Sequence, residues 1–273
     1  MLNKEKRKTM KTRYLLITCL LTLPGLVRAQ GTVNALESDF ATRASIAVDK
    51  KLARGLHLSA EYQLRTESGL SRINRHQASL GLNYKFNDYF KGGLEYTFIY
   101  HNGSSAWSPR HRAGVFLQGG FNAGDWRFTL RENFQWTHRT GDFNTYQNTP
   151  DLFTLKSRFK VQYKGFKSVT PYAYVELKNV FNDPSLKATW NSATSSYSDY
   201  SFLGYGDTYF SRYRGSLGLE WKINKHNSLE FYGLVDYLYN KDIDTNKSGT
   251  KLKSLTWDQT LRTTIGVGYT FKF

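Results

Sequence analysis

From residue 40 onward the sequence alternates apolar and polar residues one for one, in segment after segment. In the stretch 56–65 one face carries Leu56, Leu58, Ala60, Tyr62 and Leu64, and the other carries His57, Ser59, Glu61, Gln63 and Arg65. A period of two is the signature of a strand with one apolar and one wet side. The next segment repeats it, with Ala78, Leu80, Leu82, Tyr84 and Phe86 set against Gln77, Ser79, Asn83 and Lys85. The same parity returns over 94–100, 113–121, 155–163, 169–177, 213–221, 229–239 and 261–273. Aromatic residues make up 16% of the chain, yet its mean hydropathy is only −0.55. No mature segment approaches the roughly 18 apolar residues of a membrane helix. Many aromatics at low hydropathy suit strands that show lipid on one side and water on the other, so the expected fold is all-β, a transmembrane antiparallel up-and-down barrel.

The connections alternate in length. Short ones fall at 50–55, 87–88, 122–125, 164–168 and 224–227. Long ones fall at 101–110, 139–152, 181–209 and 240–256, with 68–74 on the same side. Short turns at one end and long, solvated loops at the other are the layout of an outer-membrane barrel. About eleven strands are legible, and bacterial single-chain barrels have even counts. The expectation is therefore about twelve, with residues 32–37 as a short first strand rising from the short-turn side. Ten is the alternative, if one segment lies inside the barrel. One segment breaks the pattern: Trp126, Phe128 and Leu130 set a parity that points Glu132 at lipid. A bulge near Arg131 would turn it away, or a place near the interface would make the exposure cheap.

The N-terminus reads as a signal peptide, residues 1–29, ahead of a barrel spanning 30–273. Lys4, Lys6, Arg7, Lys8, Lys11 and Arg13 precede the apolar run 14–23, and Val27-Arg28-Ala29 offers a small-residue cleavage site. Met10 is an alternative start. The competing readings of this segment are an uncleaved anchor helix or a lipoprotein signal at Cys19. Cys19 is the only cysteine, so the mature chain has no disulfide or thiolate site. Losing residues 1–29 removes seven basic residues and one acidic one and takes the net charge from +16 to +10. Export excludes nucleic acid as the partner of that charge; outer-membrane lipid, lipopolysaccharide and small anionic solutes remain. At the other end, Tyr269, Phe271 and Phe273 form an alternating aromatic terminus, the recognition strand for the barrel assembly machinery of Gram-negative bacteria. An ordinary amphipathic last strand is the plainer explanation.

Asp39-Phe40 opens the first clear strand, Arg72-Ile73-Asn74-Arg75-His76 leads into another, Arg110-His111-Arg112 follows a long loop, and Arg131-Glu132 comes one hairpin later. In that order these motifs resemble the uncharacterised outer-membrane barrels grouped as a domain of unknown function, family 2490, over nearly all of 38–273. The resemblance implies a barrel in the bacterial outer membrane and no particular activity. More distantly, the architecture is similar to small monomeric porins for acidic oligosaccharides and sialic acids; no motif carries over residue by residue.

By parity the wet face carries Arg65, Arg75, Arg112, Arg127, Arg131, Lys156, Arg158, Lys160, Lys178, Arg212, Arg214, Lys222 and Arg262. Its acids are fewer: Glu61, Glu95, Glu176, Glu220, Glu230 and Asp236. A lumen with excess Arg and Lys attracts anions and repels cations, and the guanidinium fork matches carboxylate and phosphate. Two other roles compete. The long side chains fill a closed, structural barrel, or those near the loops bind lipopolysaccharide phosphates. A lipid-modifying enzyme would need a nucleophile and base on the barrel surface. His76 and His111 are placed for it, but neither has a sequence-local nucleophile. No metal-ligand spacing is present: Asp242-Ile243-Asp244-Thr245-Asn246 lacks the glycine and closing Glu of a calcium loop. No cofactor is expected.

Overall fold

The computed structural model describes residues 31–103 and 107–273; the expected signal peptide, 1–29, lies outside the described residues. The described chain is all strand and turn. In order the strands are β1 (Thr32–Ala53), β2 (Leu56–Glu67), β3 (Arg72–Lys85), β4 (Phe90–Asn102), β5 (Trp107–Ala123), β6 (Trp126–Arg139), β7 (Asp151–Tyr163), β8 (Val169–Asn191), β9 (Ser196–Lys222), β10 (Asn227–Thr245) and β11 (Leu252–Lys272). Each pairs antiparallel with the next, and β1 closes the ring against β11. The expected β-barrel is the fold observed.

The count is eleven, one fewer than the expected twelve, and the reason lies at the seam. Residues 32–37 are not a separate strand rising from the short-turn end; they are the start of β1, continuous with Asp39 and Phe40. β1 therefore descends beside β11 in parallel, in register from Ser38↔Leu261 to Asp49↔Lys272. An odd ring of up-and-down strands needs one such pair. Phe273 N closes the short-turn end by donating to Asp49 O at 2.9 Å. The chain thus enters the barrel at the long-loop end and leaves it at the other.

Turn chemistry explains the short end. Gly55 (φ +80°) and Gly124 (φ +58°) take the left-handed corner of two tight hairpins. Asn87 and Asn224 side chains accept from backbone amides two and three residues on, the Asx geometry that initiates a turn.

At the other end, two segments read from sequence as loops are extended ribbons. The expected loop 181–209 is the upper half of the β8–β9 hairpin, paired up to Asn191↔Ser196. The expected loop 240–256 is the upper part of β10 and β11, paired up to Thr245↔Leu252. Their Ser, Asn, Asp and Tyr content hid a sparse set of apolar residues. Leu186, Ile243, Leu252 and Leu255 form a small core, with Ala188, Tyr197 and Tyr200 against it. β9 leaves β10 above Arg212↔Leu238. Lys241 fills that gap, donating to Pro184 O and Asp207 Oδ2, both at 2.5 Å.

The barrel is inverted relative to a soluble protein. Leu94, Leu117, Val175, Leu217 and Ile265 all face outward and are more than half exposed. Aromatics ring both ends of this apolar belt. Trp126, Tyr163 and Phe166 contact one another near the short turns; Tyr100, Trp107 and His76 do so near the long ones. Glu132 also faces outward. The register runs unbroken through Glu132↔Leu117 on one side and Glu132↔Ser157 on the other, so there is no bulge near Arg131. The residue sits mid-strand in the fourteen-residue β6, away from either end. The bulge is therefore absent, and the groove Glu132 enters is also lined by Tyr84 and Phe86 beside a short turn.

Candidate functional site: the charged interior

The alternation that puts apolar residues outside puts the remainder inside, and there the charges meet. On β10 Asp236 receives a bidentate fork from Arg214 of β9, with Nε to Oδ1 at 2.5 Å and Nη2 to Oδ2 at 2.8 Å. Arg43 of β1 reaches the same carboxylate at 3.5 Å, across the intervening β11. Glu176 of β8 accepts from Arg212 Nη2 at 2.5 Å and from Arg158 Nε at 2.7 Å, and Arg214 lies 3.6 Å from it. Four arginines thus share two carboxylates across β1, β10, β9, β8 and β7. Glu176 and Asp236 are each only 2% exposed. Carboxylates are stable at that depth when their lone pairs are all engaged by donors.

A second group joins Arg131 to Glu95, which also accepts from Asn133 Nδ2 at 2.9 Å. Arg262 pairs with Asp39 at 2.5 Å and approaches Glu67 at 3.6 Å. Lys272 lies 3.5 Å from Glu220. Other inward cations have no carboxylate partner among the described residues. Arg65 donates to Gln63 Oε1 at 2.6 Å, Arg75 to Asn74 Oδ1, and Arg112 to Thr137 Oγ1 at 3.0 Å. Lys160 sits 3.7 Å over the Tyr172 ring; of the paired arginines, Arg158 also lies 4.5 Å over Tyr174 and Arg131 3.8 Å over Phe116. Neutral amides, hydroxyls and ring faces stabilise a cation without cancelling its charge.

Two glycines let the interior aromatics lie flat on the wall. A Cβ on Gly266 would sit 2.1 Å from Tyr232 Cζ, and one on Gly218 would sit 2.5 Å from Tyr172 Cζ. Tyr172 Oη then donates to Glu230 at 2.7 Å. Gly233, by contrast, faces outward with open space where a Cβ would go. Gly266→Val is expected to lower unfolding free energy by about 1–3 kcal/mol through overpacking, while Gly233→Val stays within about 0.5 kcal/mol. Equilibrium urea titration of the two variants against the parent checks this.

Inward residues also line space at the short-turn end. A cavity of about 450 Å³ there is lined by Asp49, His57, Lys91, Glu95, Arg127 and Arg131, among others. Glu61 faces inward by its register with Ala47 and Ser79 and is nonetheless exposed.

By strand register, the basic and acidic residues assigned to the wet face from sequence lie on the same side of the sheet as Glu176 and Asp236. The structure brings Arg158, Arg212, Arg214 and Glu176 into one network, with Asp236. Arg131 and Glu95 form a separate pair, and Arg127 lies in the cavity at the short-turn end. Arg65, Arg75, Arg112, Lys156 and Lys160 form no ion pair among the described residues, though Lys160 lies over the Tyr172 ring whose hydroxyl donates to Glu230. Arg43 was missed, although Ile46 and Val48 outside and Ser45 and Asp49 inside mark its face. His76 and His111 face outward. Each is hydrogen-bonded through Nδ1 to a tyrosine, Tyr62 at 2.6 Å and Tyr96 at 2.7 Å. Among the described residues no group of three or more His, Cys, Asp or Glu is placed to hold a metal ion. The aromatic terminus is packed: Phe271 meets Phe273 edge-on at 4.6 Å, and Tyr269 Oη donates to Asn227.

Fold and interior together define a closed β-barrel with an apolar outer belt and a mainly cationic lumen. Residues 44–247 match the family described as protein of unknown function DUF2490, and the chain belongs to that family. No curated protein matches the chain. A solved structure described as the NanC porin in a rhombohedral crystal form is similar to it. The identity is 13%, over 72% of this chain and 85% of that one, with a TM-score of 0.40.

Proposed function

We propose that this chain is an integral outer-membrane barrel that passes small anionic solutes. The observation that carries the proposal is a set of inward cations outside the ion pairs: Arg65, Arg75, Arg112, Lys156 and Lys178 have no carboxylate within ion-pair distance among the described residues. A low-dielectric wall focuses their field along the lumen, favouring anions and opposing cations. The apolar belt between aromatic girdles supports the membrane placement. The aromatic terminus, Tyr269, Phe271 and Phe273, would serve assembly, and residues 1–29 would serve export.

The test is conductance in planar bilayers under a salt gradient. Purified barrel is expected to give open channels whose reversal potential lies toward that of the anion. The K156E/K178E pair is expected to shift it toward the cation. Absence of any conductance would overturn the pore.

One observation favours a second reading, a closed barrel that serves structure alone. The Glu176–Asp236 network is almost wholly buried, so part of the lumen's section is filled by its own side chains. The same recording separates the two.

A parallel seam adds a topological prediction. An epitope inserted before Thr32 should be bound by antibody on intact cells, at the same surface as the long hairpins. One fused after Phe273 should be bound only after the outer membrane is permeabilised.

A further inference from the structure

On the outward face, between the two aromatic girdles, Glu132 is the one charged side chain among the described residues. Ser157 Oγ on the neighbouring strand β7 donates to its Oε2 at 2.5 Å; the structure gives its other oxygen no partner. Around the pair the surface is apolar: Leu117 lies directly opposite on β5, and Leu177 opposite Ser157 on β8. Glu132 enters an outward groove of about 530 Å³ lined by Leu94, Leu117, Phe134 and Leu155, which runs on to Tyr84 and Phe86 near the short turns. A carboxyl group there faces hydrocarbon, where an unmade hydrogen bond is expensive. Acyl chains offer no donor or acceptor. The chain's own outward belt offers no cation.

We infer that this face of the barrel is a homodimer interface, in which Glu132 of one copy meets Glu132 of a second across a two-fold axis. The inference rests on the membrane placement proposed above and is independent of whether the lumen conducts. A two-fold contact is self-complementary: the same acid, hydroxyl and groove are presented by both partners. Two facing carboxyl groups sharing a proton act as donor and acceptor to each other, and Ser157 on each side occupies the outer lone pair. The leucines that flank the pair then pack against their counterparts instead of lipid. A second copy thus supplies the hydrogen bond that lipid cannot, without any cation.

The experiment uses the full barrel in lipid vesicles, with self-association read by energy transfer between separately labelled copies. Wild type is expected to associate. Glu132→Gln, whose amide still donates and accepts, is expected to keep most of that association. Glu132→Leu is expected to weaken it by about tenfold or more, the factor that about 1.4 kcal/mol sets. The sign of the stability change is the discriminating readout. Removing an acid from a lipid face should leave the monomeric barrel as stable or more stable, so Glu132→Leu should loosen the dimer without loosening the fold. Leu155→Cys should give disulfide-linked dimers on oxidation, and Leu219→Cys, on β9, should not. Monomeric wild type in vesicles would overturn the inference, as would undiminished association of Glu132→Leu. So would a loss of fold stability in that variant with association unchanged, which would make the pair a purely internal contact. Protein that cannot be recovered folded in vesicles would instead overturn the membrane placement.

Discussion

Asp236→Asn is expected to lower the unfolding free energy of the barrel by about 3–5 kcal/mol, the range for removing one partner of a buried ion pair. The side chain keeps its shape but loses its charge, and its new amide hydrogens point at guanidinium donors that need acceptors. Arg43 then loses its carboxylate, and Arg212 and Arg214 are left with Glu176, which already accepts from Arg158 and Arg212. The side chains of Asp236 and Arg214 are 3% and 6% exposed, so water screens the remaining charge poorly. Two controls define the effect. Asp49→Asn removes a carboxylate from the half-exposed pair with His57, and such pairs are worth about 0–1 kcal/mol. The D236N/R214L double variant removes the forked pair and should recover the part of the loss that comes from Arg214, while Arg43 and Arg212 still lack Asp236. Urea unfolding in detergent or lipid, followed by tryptophan fluorescence, measures all three. A loss below about 1 kcal/mol for Asp236→Asn would mean that the network is hydrated and that the lumen at this level is wide.

Much of this arrangement was legible in the sequence because a strand's parity is local. Once Leu56 to Leu64 is assigned outward, Arg65 must face in, and no tertiary knowledge is required. The same holds for Lys156, Arg158 and Lys160. What parity cannot supply is the partner. Arg43 and Asp236 lie on strands far apart in sequence, brought near each other only by the β1–β11 seam, and the even-count habit of such barrels argued against that seam. The upper hairpins were hidden for a different reason. Between 181 and 209, Leu186 is the one buried member of the small core; the other three, Ile243, Leu252 and Leu255, are on another hairpin. No single segment shows enough apolar periodicity to be read as a strand. Glu132 is the opposite case. Its parity was read correctly, and of the two ways offered to accommodate it the bulge is the one the register excludes.

The connection between β6 and β7 is expected to control access at the long-loop end. It reaches past β8 and β9 to the tip of the β10–β11 hairpin. Asn144 Nδ2 donates to Thr245 Oγ1 at 3.0 Å and Gln147 Nε2 to Asp244 Oδ1 at 3.0 Å. Tyr146 packs edge-on to Phe202 at 5.2 Å, and Tyr205 Oη donates to Thr145 O at 3.0 Å. The far anchor is Gly249, which has φ +64° and the Tyr146 ring within 2.4 Å of where a Cβ would stand. Any side chain there is doubly excluded, by backbone strain and by the ring. Gly249→Val should therefore release Tyr146 and free the loop, as should the N144A/Q147A pair. For the N144A/Q147A pair the bonds concerned lie above the barrel wall, so unfolding free energy should change by less than about 1 kcal/mol; Gly249→Val carries about 1–3 kcal/mol of backbone strain in addition. Single-channel records should change far more, with longer open times and fewer closures. The N144C/T245C pair, joined by a short thiol-reactive linker, should do the reverse and hold the channel shut. If freeing and tethering the loop both leave the records unchanged, the loop lies beside the mouth rather than across it, and the narrow point is the Glu176–Asp236 network below.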